Sequence, residues 1–184
     1  STVTAVRVAR WNGSTWSGGF GTSSTLPYVV RALLATGDSL WIAGSALSSQ
    51  SGVRLWTGSA LGTPGAGLNA SSGAARVNAL LSHQGQVYAG GWFQRSGTTP
   101  LGSTVARFDG STWVGVGHAT GEVTSLVEWN GDLLALISTA SGVVKPFRLE
   151  AGEWVPFGDA TGSYPSLSFP CAQLVAGGSH LVLT

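Results

Sequence analysis

The sequence predicts an all-β protein, a propeller of four antiparallel four-stranded blades of about 46 residues each, and three observations predict it. A short block recurs: Val30-Arg31-Ala32-Leu33-Leu34 returns 47 residues on as Val77-Asn78-Ala79-Leu80-Leu81, and 46 further on as Val123-Thr124-Ser125-Leu126-Val127. Ala172-Gln173-Leu174-Val175 matches it again, 48 residues after Thr124-Ser125-Leu126-Val127. Within each copy, apolar runs of strand length alternate with Gly, Asn and Asp turns, and no stretch holds helical spacing over ten residues. Finally, the last copy stops half-made at Thr184, and its missing half stands at the other end of the chain. Ala9-Arg10-Trp11-Asn12-Gly13-Ser14-Thr15-Trp16 copies Ala106-Arg107-Phe108-Asp109-Gly110-Ser111-Thr112-Trp113. The repeats are therefore 29–75, 76–121, 122–166, and 167–184 joined with 1–28, all in one domain. A head that completes the tail's unit implies a ring.

In the best-formed copy the strands are expected at 77–82, 86–91, 104–108 and 112–117, with the first lining the axis. Asp109-Gly110 is read as a two-residue turn between the third and fourth, because Gly and Asp tolerate the positive φ such turns need. Asn12-Gly13, Thr57-Gly58 and Glu150-Ala151-Gly152 stand at the same place in the other copies. A large side chain follows each turn or precedes it. Trp16, Trp113, Trp154 and Leu61 share one repeat position, and Trp11, Phe108, Leu149 and Trp56 another. Neighbouring wedge-shaped sheets must bury one another's faces, so these residues are expected in the core. Arg10, Arg107 and Arg148 also recur. Their stems are expected to pack on aromatics while their heads bond carbonyls of the adjacent hairpin, against the alternative of a ring of ligand contacts.

The run Val87-Tyr88-Ala89-Gly90-Gly91-Trp92-Phe93, followed by Val105-Ala106-Arg107-Phe108-Asp109-Gly110-Ser111-Thr112-Trp113, resembles kelch-like propeller repeats of secreted and surface proteins. The double Gly after the second strand and the aromatic after the hairpin carry the resemblance. The first copy has Ala43-Gly44-Ser45 and the third Ala135-Leu136-Ile137 in place of the Gly pair. Trp-Asn-Gly-Ser-Thr-Trp is also similar to hairpins of sugar-binding propeller lectins. The galactose oxidase family shares kelch-type repeats, but its copper site with a Tyr-Cys cofactor has no matching motif in these three tyrosines and one cysteine.

Charged residues make up only 9% of the chain and Gly numbers 28, so Ser, Thr and small residues must build the surface, as on extracellular repeat proteins. A net charge of +1 offers no footprint for nucleic acid, and no apolar run reaches membrane-spanning length. With no methionine, the chain is expected to be a mature product or a segment of something longer. Cys171 alone cannot form an internal disulfide; it reads as a small buried thiol or as half of an intermolecular bridge.

No nucleophile elbow, zinc-protease helix, phosphate loop or Cys/His cluster is present, and no cofactor or metal is expected. His83, His118 and His180 fall at unrelated repeat positions, and eight acids are thinly spread. Propeller connectivity places Trp129, Asn130, Asp132 and Asn12 on one rim and Trp92, Gln94, Arg95, Asn69 and His118 on the other. Trp92 and Trp129 break the repeat pattern and are the ligand-contact candidates, an exposed aromatic beside polar groups being suited to sugars or partner surfaces. Asn12-Gly13-Ser14 and Asn69-Ala70-Ser71 are N-glycosylation acceptors by pattern, although Asn12 also serves turn geometry. The expected function is a non-catalytic extracellular scaffold or adhesion module that presents loops to a protein or glycan at the cell surface. A carbohydrate-binding lectin is the alternative, and a secreted hydrolase or lyase the second. The tail's unpaired edge also allows self-assembly if the head of a neighbouring molecule completes it.

Overall fold

A computed structural model describes residues 4–22, 25–47, 50–139, 141–158, 167–168 and 173–183. Its regular elements are all strands. An outer hairpin comes first, β1 (Arg10–Trp11) and β2 (Trp16–Ser17). Three four-stranded meanders follow. Unit one comprises β3 (Val29–Thr36), β4 (Ser39–Ser45), β5 (Val53–Trp56) and β6 (Leu61–Gly62). Unit two opens with β7 (Arg76–His83) and β8 (Gln86–Trp92), carries a small side hairpin, β9 (Arg95–Ser96) and β10 (Thr99–Pro100), and ends with β11 (Val105–Phe108) and β12 (Trp113–Gly115). Unit three is β13 (Val123–Trp129), β14 (Asp132–Ser138), β15 (Val143–Glu150) and β16 (Glu153–Pro156). β17 (Leu167–Ser168) pairs with the start of β15, and the chain closes with the hairpin β18 (Leu174–Gly177) and β19 (His180–Leu183).

The three meanders are built to one register. Leu40 faces Trp56 in unit one and Val87 faces Phe108 in unit two; Leu134 facing Arg148 in unit three keeps the same offset. β3, β7 and β13 each carry a β-bulge at the same place, with Arg31, Asn78 and Thr124 as the extra residue. The Gly pair of unit two has two separate steric causes. A Cβ on Gly91 would lie 2.0 Å from the carbonyl oxygen of Arg76 beside the bulge, and one on Gly90 would lie 2.5 Å from Val123 of the next unit. Gly44 meets the same bulge carbonyl, that of Val29, in unit one. Unit three carries Ile137 there, and its close approach falls one residue on, where a Cβ on Gly121, just before β13, would lie 1.7 Å from the Ser138 carbonyl oxygen.

Successive units bury each other's faces. Trp41, Ala43 and Val53 of unit one pack with Val87, Ala106 and Trp113 of unit two. Tyr88 and Val105 pack with Val123, Leu133 and Ala135, and Leu134, Leu136 and Val144 pack with Leu174, Leu181 and Leu183. The head docks on unit one through Val8, Phe20, Leu26 and Ile42.

Two sequence expectations need correction. The loop after Phe108 has four residues, Asp109–Thr112, since Phe108 pairs directly with Trp113. Asp109 Oδ1 accepts the backbone N–H groups of Ser111 and Thr112, and Asn12 repeats this for Ser14 and Thr15, so side-chain bonds close the loop together with the expected positive φ, 103° at Gly110 and 102° at Gly13. Only Ala151-Gly152 is a two-residue turn of the expected kind. The recurring aromatics are not uniformly core: Trp113 is 3% exposed, whereas Trp11 and Trp16 are 50% and 56% exposed, resting on each other at 5.5 Å. They lie on a hairpin paired only within itself among the described residues, as do β18 and β19. Cys171 lies outside the described residues.

Candidate functional site

Arg107, Arg148, Trp113 and Trp154, at the recurring charged and aromatic positions, bond within the scaffold. Arg107 donates to Gln86 Oε1 at 2.7 Å, and Arg148 donates to Asp132 at 3.3 Å and to Glu150. Gln86 and Asp132 are each the first residue of their unit's second strand, so the head bonds a side chain there and not, as expected, the hairpin carbonyls. The Arg148 guanidinium also lies over the Phe157 ring, 5.5 Å from its centroid. The Trp indoles stitch units together: Trp113 Nε1 donates to the Pro64 carbonyl at 3.1 Å, and Trp154 Nε1 to that of Val116 at 2.8 Å. Pro64 and Val116 stand at equivalent repeat positions.

The boundary between units two and three departs from this regularity. Glu122, buried just before β13, receives a bidentate pair from Arg76, with Nε to Oε1 at 2.9 Å and Nη2 to Oε2 at 2.7 Å. Asn78 Nδ2 adds a third bond to Oε1 at 2.9 Å and reaches the Val123 carbonyl at 2.8 Å. Burial pushes the Glu122 carboxyl up, but the bonds from Arg76 and Asn78 and the charges of Arg76 and Arg31 outweigh it and leave the group below its ordinary value. The bond to Glu122 in turn raises Arg76 against the effect of its own burial. Above this pair opens a groove of about 460 Å³ lined by Trp92, Thr120, Ser138 and Thr139 as well as Arg76 and Glu122. A second depression of about 210 Å³ shares Thr120, Gly121, Ser138 and Thr139 with it and is closed on its far side by Trp154 and His118.

Of the predicted contact residues, Trp92 therefore lines the larger of these two openings, half-buried at the end of β8. Trp129 sits elsewhere. It packs on the unit-three core, edge-on to Phe157 at 6.1 Å, and its Nε1 is buried without a hydrogen-bond partner among the described residues. Asn12 is exposed with its Oδ1 engaged by three donors, from Ser14 and Thr15. Asn69 is half-buried and bridges to Arg95, its Oδ1 accepting from Gly97 N at 3.3 Å. The rim grouping of Asn69, Gln94 and Arg95 is thus a physical contact. His83 pairs with Glu128 at 2.7 Å, and His118 with Glu153 at 2.8 Å.

Sequence reasoning missed Arg76 and Glu122. The signal was available: they stand at one repeat position in consecutive copies, 46 residues apart, with opposite charges. The described residues contain no group of three metal-ligating side chains, and no helix long and apolar enough to cross a membrane. No protein-family model and no curated protein matches the chain.

Proposed function

We propose that this chain is a kelch-like, four-bladed propeller whose last blade is completed by the N-terminal strands, and that it acts as a non-catalytic adhesion or scaffold module at the cell surface. Support for the fourth blade comes from where exposed apolar residues fall. Leu80, Leu126 and Leu174 share a repeat position, and each packs on the preceding unit, but Leu33 at that position is about half exposed. Val175 and Val182, whose counterparts Leu81 and Tyr88 face the next unit, are also about half exposed. These residues, with Trp11 and Trp16, are the ones a fourth interface would cover. An open slot of about 490 Å³ lies between Ala9–Trp11 of the head and Leu33 and Ala35 of unit one, where a two-stranded half-blade would stand. β18 and β19 form such a half-blade, with Leu174 facing Leu183 in the register of Leu33 facing Ile42.

The observation that carries the adhesive reading is the division of labour among side chains. The recurring Arg107, Arg148, Trp113 and Trp154 are spent inside the scaffold, while the repeat-breaking Trp92 lines an open groove on a surface poor in charge. Glycan on Asn12 or Asn69 would suit the same extracellular setting. The test is attachment of intact cells or extracellular matrix to the immobilised full chain. Saturable attachment is expected, and its absence at high surface density refutes the reading.

A further inference from the structure

We infer that the groove between units two and three is a binding site for a neutral saccharide chain, with Trp92 as its platform. This deepens the adhesive reading and rests on it for biological purpose. The chemistry is local. Arg76 spends Nε and Nη2 on Glu122, which leaves Nη1 as a donor, and Glu122 Oε2 accepts one bond among the described residues, at 2.7 Å, which leaves it a lone pair. A donor and an acceptor fixed side by side suit a sugar hydroxyl, which gives one hydrogen bond and takes another. The two charges cancel within the pair, so the pair itself presents no net charge to a ligand, although the Arg31 charge also reaches Glu122. Thr120 adds a hydroxyl to the wall, where those of Ser138 and Thr139 already bond Glu122 N and the Val143 carbonyl, and the Trp92 indole offers an apolar face for the C–H side of a sugar ring.

Three features separate this from ordinary scaffold packing. Trp92 has Ser45 and Ser138 as its counterparts in units one and three, each the last residue of the second strand, so the propeller frame does not require a large side chain there. Among the described residues, an Arg–Glu pair that joins two units occurs at this boundary alone, the Arg148–Glu150 pair lying within unit three. The groove's volume of about 460 Å³ falls in the range of small-ligand sites, about 300–1,000 Å³. The neighbouring depression shares one wall with the groove and ends at Trp154, whose indole plane is pinned by its bond to Val116. A ligand that spans both is a chain of rings, so a disaccharide or longer should bind more tightly than its monosaccharide.

The test applies the full chain to an array of neutral and acidic oligosaccharides, followed by calorimetric titration with the best neutral ligand. Expected are binding to at least one neutral class, an at least tenfold loss in Trp92→Ala, and a similar loss in Thr120→Trp, which fills the groove from an exposed loop. Melting temperatures of both variants should stay near that of the parent, which separates lost binding from lost folding. No neutral ligand at millimolar concentration, binding confined to acidic glycans, or affinity unchanged by both substitutions overturns the proposal. Attachment of cells without glycan binding overturns the saccharide site and leaves adhesion standing; glycan binding without attachment does the reverse.

Discussion

Trp113 and Trp16 hold one repeat position in two different environments, and truncating each measures what an interface between units contributes. Trp113 is 3% exposed, lies against Trp41 at 5.9 Å and Phe108 at 5.2 Å, and donates its indole N–H to Pro64. Trp113→Ala removes this packing and strands the Pro64 carbonyl, so a loss of about 3–5 kcal/mol is expected. Trp16, as it stands beside Trp11, is 56% exposed, and its ring pair alone accounts for about 0.5–1.5 kcal/mol. In a completed fourth blade Trp16 would meet unit three as Trp113 meets unit one, with its indole reaching the Phe157 carbonyl, the counterpart of Pro64 and Val116. Trp16→Ala would then cost as much as Trp113→Ala. Urea melts at constant slope give both values. In a domain of this size, each kcal/mol lowers the melting temperature by about 2–4 °C. A loss below about 1 kcal/mol for Trp113→Ala would refute the assignment of the core, and one below about 1.5 kcal/mol for Trp16→Ala would refute the closed blade.

The turn chemistry predicts a pH signature. Backbone and hydroxyl bonds from Thr112 and Ser111 hold the Asp109 carboxyl well below the ordinary carboxylate range. Its contribution is therefore complete above the unfolded value of about 4 and is lost as pH falls through the depressed folded value. The parent should lose stability relative to Asp109→Asn on acidification below about pH 4, and parallel melting curves down to pH 2 would contradict this. Glu122→Gln leaves Arg76 without its charged partner and should cost about 1–3 kcal/mol in denaturant melts; an unchanged midpoint would show the pair to be idle. In a Cys171→Ser background, Arg10→Cys with Val182→Cys should oxidise to an intrachain disulfide, because Arg10 would face Val182 as Arg107 faces Tyr88. Disulfide-linked dimers would show the head of a neighbour in the slot, and free thiols would show no closure.

Strands and repeat phase were legible because period-two patterning and turn residues are local properties. The expected 77–82 and 86–91 correspond to β7 and β8 within a residue or so. The side hairpin β9–β10 was not legible, since two-residue strands carry no periodicity. Neither were the bulges at Arg31, Asn78 and Thr124, which are offsets between strands and not patterns along one. Trp92 stood out by breaking the repeat, and so did Trp129, yet only Trp92 borders the groove. The difference lies in loop context. Trp92 ends a second strand, where the chain leaves for a side hairpin, whereas Trp129 ends an inner strand at the tight Asn130-Gly131 turn and folds onto Phe157.

A repeat architecture makes the comparison of consecutive copies more informative than the comparison of any copy with an average. Val29, Arg76 and Glu122 occupy one position beside the bulge, so the side chain there faces its counterpart in the neighbouring unit. A like pair of Arg or Glu would repel across a partly buried boundary, and a lone Glu122 opposite valine would be a buried charge without a partner. Opposite charges in adjacent copies resolve this at one boundary and, in doing so, make it chemically unlike its neighbours. His83 and Glu128 also pair across these two units at 2.7 Å, but from different repeat positions, since the counterpart of His83 is Trp129. Once one boundary differs, selection on a ligand can act there without disturbing the packing that Trp113 enforces between units one and two. The Arg76–Glu122 pair thus serves as lock and as polar floor of the groove, which is why Glu122→Gln should weaken both the fold and saccharide binding, while Trp92→Ala should weaken binding alone.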